Sequence, residues 1–108
     1  IPAAEQFYNN VLGFDLMVRY GNQASFISAG GYHHHLGLND WAGVGVAPPR
    51  PTKARLQSYE IILPTATDVD AVAARLDQNN IAYTTLPNGI KTADPAQNNI
   101  RLLTPAAI

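Results

Sequence analysis

Cysteine is absent from this chain of 108 residues, and charged residues are few. Without cysteine there is neither a disulfide framework nor a thiolate zinc site, so any metal ligand would have to be His, Asp or Glu. Charged residues make up 14% of the chain and the net charge is −1, so nothing favours nucleic acid as a partner. No apolar run reaches the roughly 18 residues that a membrane-spanning helix needs, so no membrane partner is expected either.

The remaining composition is that of a globular module. Hydrophobic residues make up 46% of the chain, which is a usual share for a folded domain. No secretory leader is recognisable, and we expect a cytoplasmic protein. Ile1 and Pro2 resemble the first turn of a helix, so we expect that further residues precede them in the natural chain.

Hydrophobic periodicity predicts two similar series of elements. The first is a helix over residues 3–12 that ends at Gly13, followed by strands over 14–20, 23–28 and 32–39. The second is a strand over 57–63, a helix to about residue 78 capped by Thr65 or Thr67, and strands over 81–86, 90–93 and 99–103. A loop rich in Gly and Pro separates them.

The element order predicts an α+β fold of paired βαβββ units in a half-open curved sheet. The first strand of the first unit is missing and would lie before Ile1. We assign residues 1–46 to the first unit, 47–56 to the loop and 57–108 to the second unit. Together they would form one module, a fragment of a longer chain.

Two motifs carry a family resemblance. One is the helix exit with Phe7, Tyr8, Val11, Leu12, Gly13 and Phe14, and the other is the run from Tyr32 through His33, His34 and His35 to Trp41. Both resemble the vicinal-oxygen-chelate superfamily of glyoxalases, bleomycin-resistance proteins and extradiol dioxygenases. The histidine run is similar to the C-terminal module of catechol-2,3-dioxygenase-like proteins. The resemblance implies a substrate with neighbouring oxygens, such as an aromatic diol, a divalent metal (Fe(II), Mn(II) or Zn(II)) and a companion module or homodimer.

The histidine run is the main candidate site. If residues 32–39 form a strand, His33, His35, Gly37 and Asn39 share one face, because side chains alternate. That face is polar, and its glycine would let a ligand approach the backbone closely. We therefore predict His33 and His35 as catalytic residues, His35 as the metal ligand and Asn39 as a substrate contact. The alternative is that the histidines are structural, which the two leucines on the other face favour for His34.

The chain departs from the metal pattern that the resemblance implies. Ser58 stands where the family has a histidine and Arg101 where it has a glutamate. Serine is a poor ligand and the cationic arginine is none, so this module offers few ligands. The alternative is that the module itself holds no metal. Arg101 could instead bind an anionic group through its planar fork, or it could face solvent.

Further residues are candidate substrate contacts. Trp41 could stack on an aromatic substrate or pack under the loop, and either Tyr59 or Glu60 faces the site because they alternate along a strand. Three functions stay open: part of a metal-dependent dioxygenase-like enzyme, a metal-free binding module like the bleomycin-resistance proteins, or a structural half of a two-module protein.

Overall fold

A computed structural model describes residues 1–21, 23–40 and 56–105. The chain forms two compact units, Ile1–Pro48 and Pro49–Ile108. It is an α+β protein with a three-stranded sheet in the first unit and a four-stranded sheet in the second. None of the helices in these described ranges is long and apolar enough to cross a bilayer. Trp41 lies outside the described residues.

The first unit opens with a helix that changes its winding. Helix α1 covers Pro2–Glu5, with Pro2 in its first turn as predicted, and continues as a π-helical segment over Gln6–Val11. The wider winding shows in the bond from the Leu12 N–H to the Phe7 carbonyl, which spans five residues (3.0 Å). Gly13 ends the segment at a φ of 93°, a left-handed conformation that favours glycine. The helical stretch buries Phe7, Tyr8 and Val11.

Three antiparallel strands complete the first unit in the order β1-β2-β3. Strand β1 is Asp15–Tyr20, β2 is Ala24–Ser28 and β3 is Leu36–Asn39. The central strand β2 is the most buried of the three, and its Ile27 is fully buried.

The prediction of a third strand over residues 32–39 is wrong at its start. The strand begins at Leu36, so the three histidines precede it. Gly30 and Gly31 both take left-handed φ values, and the Ser28 hydroxyl donates to the Tyr32 carbonyl (2.6 Å). The turn at the two glycines and the bond from Ser28 keep this segment out of the β-ladder, because a carbonyl that accepts from a nearby hydroxyl does not need a strand partner.

The second unit is a complete βαβββ arrangement. Strand β4 is Ser58–Ile62, helix α2 is Ala66–Gln78, and strands β5, β6 and β7 are Thr84–Leu86, Gly89–Ala93 and Asn99–Leu103. The sheet order is β4-β7-β6-β5, with β4 parallel to β7 and the other pairs antiparallel. Of the two predicted helix caps, the structure uses Thr65, which forms a capping box with Asp68.

Alternation gives the second sheet one apolar face and one mixed face, which carries Arg101 and Lys91 together with the buried Leu103. Ile90, Ile100 and Leu102 are buried on one face, and helix α2, which contacts β6, buries Val69, Val72 and Leu76. Thr92 shares this buried face, and its hydroxyl donates to the Ala82 carbonyl (2.9 Å). The carbonyl of Ala82 is thereby satisfied outside the ladder, and β5 begins at Thr84 instead of at the predicted residue 81.

Glu5 ties the helical stretch to the first sheet. Arg19 donates from Nη2 to Oε1 (2.6 Å) and from Nε to Oε2 (3.3 Å) of Glu5, and the fully buried Ser25 donates its hydroxyl to Oε2. The bonds from Arg19 and then from Ser25 favour the carboxylate and hold the pKa of Glu5 below its ordinary value. The group contributes to structure, because it links α1, β1 and β2.

Substituting Glu5→Gln is expected to flatten the acid limb of the stability curve. A lowered pKa in the folded state adds stability above the ordinary carboxyl value of about 4.3, and that stability is lost as pH falls through the folded-state pKa. At neutral pH the variant should be less stable by ~1–2 kcal/mol, since Arg19 is half exposed and its charge is screened. Urea unfolding at a series of pH values measures this. Arg19→Gln is the control and should flatten the same limb; an unchanged acid slope in both variants contradicts the assignment.

Candidate functional site

The three histidines lie in the turn between β2 and β3 and are all exposed. The His35 backbone N–H donates to the Ile27 carbonyl (2.8 Å), and its ring Nδ1 accepts from the Ala29 N–H (3.2 Å). A neutral imidazole that accepts at Nδ1 carries its proton on Nε2. In this arrangement His35 offers no free lone pair, and ligation of a metal by Nδ1 would require its bond to Ala29 to break.

His33 and His34 form a ring pair. Their Nδ1 atoms are 3.0 Å apart, so one ring donates and the other accepts. The ring of His34 packs against Phe26, with centroids 5.1 Å apart. The ring of Tyr32 lies 4.1 Å from that of His33 and 5.1 Å from that of His35. Tyr32 thus brings the two candidate histidines together in one aromatic cluster.

Gly37 makes room for a side chain. It pairs with Phe26 across the ladder, and a Cβ at Gly37 would lie 3.3 Å from Cε1 of that phenylalanine. The space beside Gly37, which we expected a ligand to use, is therefore occupied by the Phe26 ring. This ring also packs edge to face against Tyr20, with centroids 5.7 Å apart. Asn39 is exposed at the end of β3, opposite Ala24.

In the second unit, the register separates Tyr59 from Arg101. Glu60 pairs with Arg101 between β4 and β7, so these two side chains leave the same face of the sheet. Tyr59 pairs with the fully buried Ile100 and is half-buried on the opposite face, the one that carries the apolar core. Of the pair that the sequence left open, Glu60 therefore shares the face of Ser58 and Arg101.

Lys91 is a neighbour of Arg101 that the sequence alone does not reveal. It pairs with Arg101 between β6 and β7 and lies on the same face. In the sequence, Lys91 stands between Ile90 and Thr92, and the structure buries both of these neighbours on the opposite face. Its position beside Arg101 depends on the pairing of β6 with β7, which is not local in the chain.

The residues do not fit a complete metal centre. Across the described ranges of both units, no group of three His, Asp or Glu side chains could hold a metal ion. Ser58 and Arg101 offer no ligand in the second unit, and the ring of His35 already accepts a backbone hydrogen bond. The donor set therefore provides no basis for a metal-dependent step through these residues.

The comparison with known proteins decides the family. The model of the Glyoxalase/Bleomycin resistance protein/Dioxygenase superfamily matches residues 1–98. The chain belongs to this superfamily. It is 46% identical over 97 residues to catechol-2,3-dioxygenase of Bacillus subtilis (strain 168), an alignment that covers 88% of this chain and 34% of that protein. The chain thus spans about a third of the length of this glyoxalase-superfamily relative.

Solved structures agree with this family fold. Lactoylglutathione lyase from Agrobacterium tumefaciens superposes with a TM-score of 0.68 at 22% identity, covering 98% of this chain and 86% of that one. TnmS3, an antibiotic binding protein from Streptomyces sp. CB03234, superposes with a TM-score of 0.63 at 29% identity, covering 96% and 86%. At 22% identity, the likeness to lactoylglutathione lyase concerns the fold alone.

Proposed function

We propose that this chain is one module of a catechol 2,3-dioxygenase-like enzyme that acts on an aromatic diol. The observation that carries the proposal is the 46% identity to the Bacillus subtilis catechol-2,3-dioxygenase over 97 residues. Since that alignment covers only 34% of the relative, we assign the remainder of the activity to a companion module. A divalent metal, Fe(II), Mn(II) or Zn(II), would then be held largely by residues other than those described.

His33 and His35 are the residues that we propose for proton transfer at the substrate. Both rings are exposed and reach the same aromatic neighbour, Tyr32. A neutral imidazole can accept the proton that a diol loses when it binds as an anion. At His35 this requires Nδ1 to release its hydrogen bond from the Ala29 N–H. We propose Asn39 and Trp41 as further substrate contacts from the same sequence run.

Ring cleavage by the full-length protein tests this proposal. The expected result is oxygen uptake that matches loss of catechol, together with stoichiometric iron, manganese or zinc in the preparation. His33→Ala and His35→Ala should each lower turnover about 10²-fold. Tyr83→Phe in the second unit is the control, because its hydroxyl donates to Asp77 on helix α2 (3.1 Å), and it should keep turnover. A metal-free protein without catechol turnover would rule the enzyme proposal out.

A second candidate is a metal-free binding module. It is supported by the likeness to the antibiotic binding protein TnmS3 at 29% identity and by the absence of a three-ligand group among the described residues. Saturable binding of a planar ligand without oxygen uptake or bound metal distinguishes this function from the first.

A further inference from the structure

The face of the second sheet opposite its apolar core carries a row of charged side chains. Glu60, Arg101 and Lys91 stand side by side on β4, β7 and β6, because each pairs with the next in the ladder. Thr84 pairs with Lys91 and extends the row to β5. Glu60 and Arg101 are exposed, and Lys91 is half-buried. Neighbouring strands lie about 4.8 Å apart, so the two cations are direct neighbours.

Among the described residues, the charged side chains of this row form no ion pairs with one another. Within the described ranges, Arg101 forms no ion pair with Glu60 although the two are register partners. Like charges placed opposite each other across a ladder destabilise a sheet. The Arg101–Lys91 neighbourhood therefore carries an electrostatic cost that an anion bound between them would remove.

An apolar row lies beside the charged one. Ile62, Leu103 and Leu86 share its face two residues along their strands, with Gly89 between the two leucines. Ile62 is 44% exposed, which is unusual for an isoleucine within a sheet. Ile62 lies one strand across and two residues along from Arg101, roughly 8 Å away. Leu103, which is directly along β7 from Arg101, is only 5% exposed, so Ile62 is the accessible apolar neighbour.

We propose that this face binds the carboxylate of a small aromatic acid, with Arg101 on the carboxylate, Lys91 adding positive charge beside it, and the ring directed toward Ile62. The planar guanidinium of Arg101 matches a carboxylate in a two-bond fork, and the ammonium of Lys91 adds a point charge. Glu60 beside Arg101 repels a second negative charge, so a monocarboxylate is preferred to a dianion. The inference rests on the proposed function in that the aromatic acid would also be a diol.

Calorimetry at low salt with three probes tests the site on the full chain. The probes are 3,4-dihydroxybenzoate, catechol, which lacks the carboxylate, and benzoate, which lacks the diol. Dihydroxybenzoate should bind about tenfold more tightly than catechol, and benzoate should bind measurably. Added salt should weaken the binding of the two carboxylate probes and leave the affinity for catechol unchanged. Equal affinity for dihydroxybenzoate and catechol overturns the inference. It is also overturned if none of the three probes binds.

Variants of the row supply matched controls. Arg101→Gln and Lys91→Gln should each remove most of the tenfold preference, and Glu60→Gln should increase it, since it removes a neighbouring negative charge. Arg75→Gln on helix α2 alters the net charge as Arg101→Gln does and should leave the preference intact; thermal melts check that each variant folds. A preference that survives in Arg101→Gln contradicts the site. If the preference holds but catechol is not cleaved, the proposed function fails and the carboxylate site stands.

Discussion

Gly89→Ala is expected to destabilise the second unit by about 3 kcal/mol or more, because no space exists for a β-carbon. A Cβ built on Gly89 would overlap the carbonyl oxygen of Leu102 and would lie 2.9 Å from its carbonyl carbon and 3.1 Å from Cα of Leu103. All of these are backbone atoms of the adjacent strand β7, which cannot turn aside as a flexible side chain can. The substitution must therefore separate β6 from β7 at this point.

Urea unfolding followed by circular dichroism measures the effect of Gly89→Ala. Gly37→Ala in the first unit is the matched control, since its Cβ would meet only the ring of Phe26, at 3.3 Å. That ring can shift by a few tenths of an ångström, so the control should lose about 1 kcal/mol or less. Equal losses in the two variants would show that the contact with β7 is not the cause.

Ile100→Ala is expected to cost about 2–5 kcal/mol in unfolding free energy. Ile100 is fully buried on β7, which lies between β4 and β6, so its loss leaves a cavity that strands on both sides would have to close. A small domain has little stability in excess, and a loss of this size would lower its melting temperature by many degrees.

Ile62→Ala provides the comparison for the core substitution. It removes the same atoms from a side chain that is 44% exposed, so it should cost about 1 kcal/mol or less. Thermal and urea unfolding of the two variants give the difference directly. If both variants lose a similar amount of unfolding free energy, the helix-covered face of the second sheet is not the core.

Much of the local structure could be predicted from the sequence. The pattern of Asn99 to Leu103 predicts a strand with the observed bounds, and the spacing of Val69, Val72 and Leu76 predicts the buried stripe of α2. Periodicity works here because each element buries one face against its own unit. The family was also predictable, because the motifs around Phe7 and the histidines are local in the chain, and it is confirmed.

The histidine run shows where this reasoning fails. Strand alternation predicted one face for His33 and His35, but their conformation depends on bonds made by Ser28 and Ala29. Likewise, an empty gap at Gly37 could be inferred from the residue alone, whereas the Phe26 ring that fills it comes from the neighbouring strand.

The sequence by itself determined the element order, the family and the scarcity of metal-ligating side chains at Ser58 and Arg101. These follow from residue types and from periods of a few positions along the chain. Only the tertiary structure decided that Lys91 stands beside Arg101 and Tyr59 on the opposite face. Which residues become neighbours across a sheet depends on strand order and register, and a shift of one residue reverses every side chain.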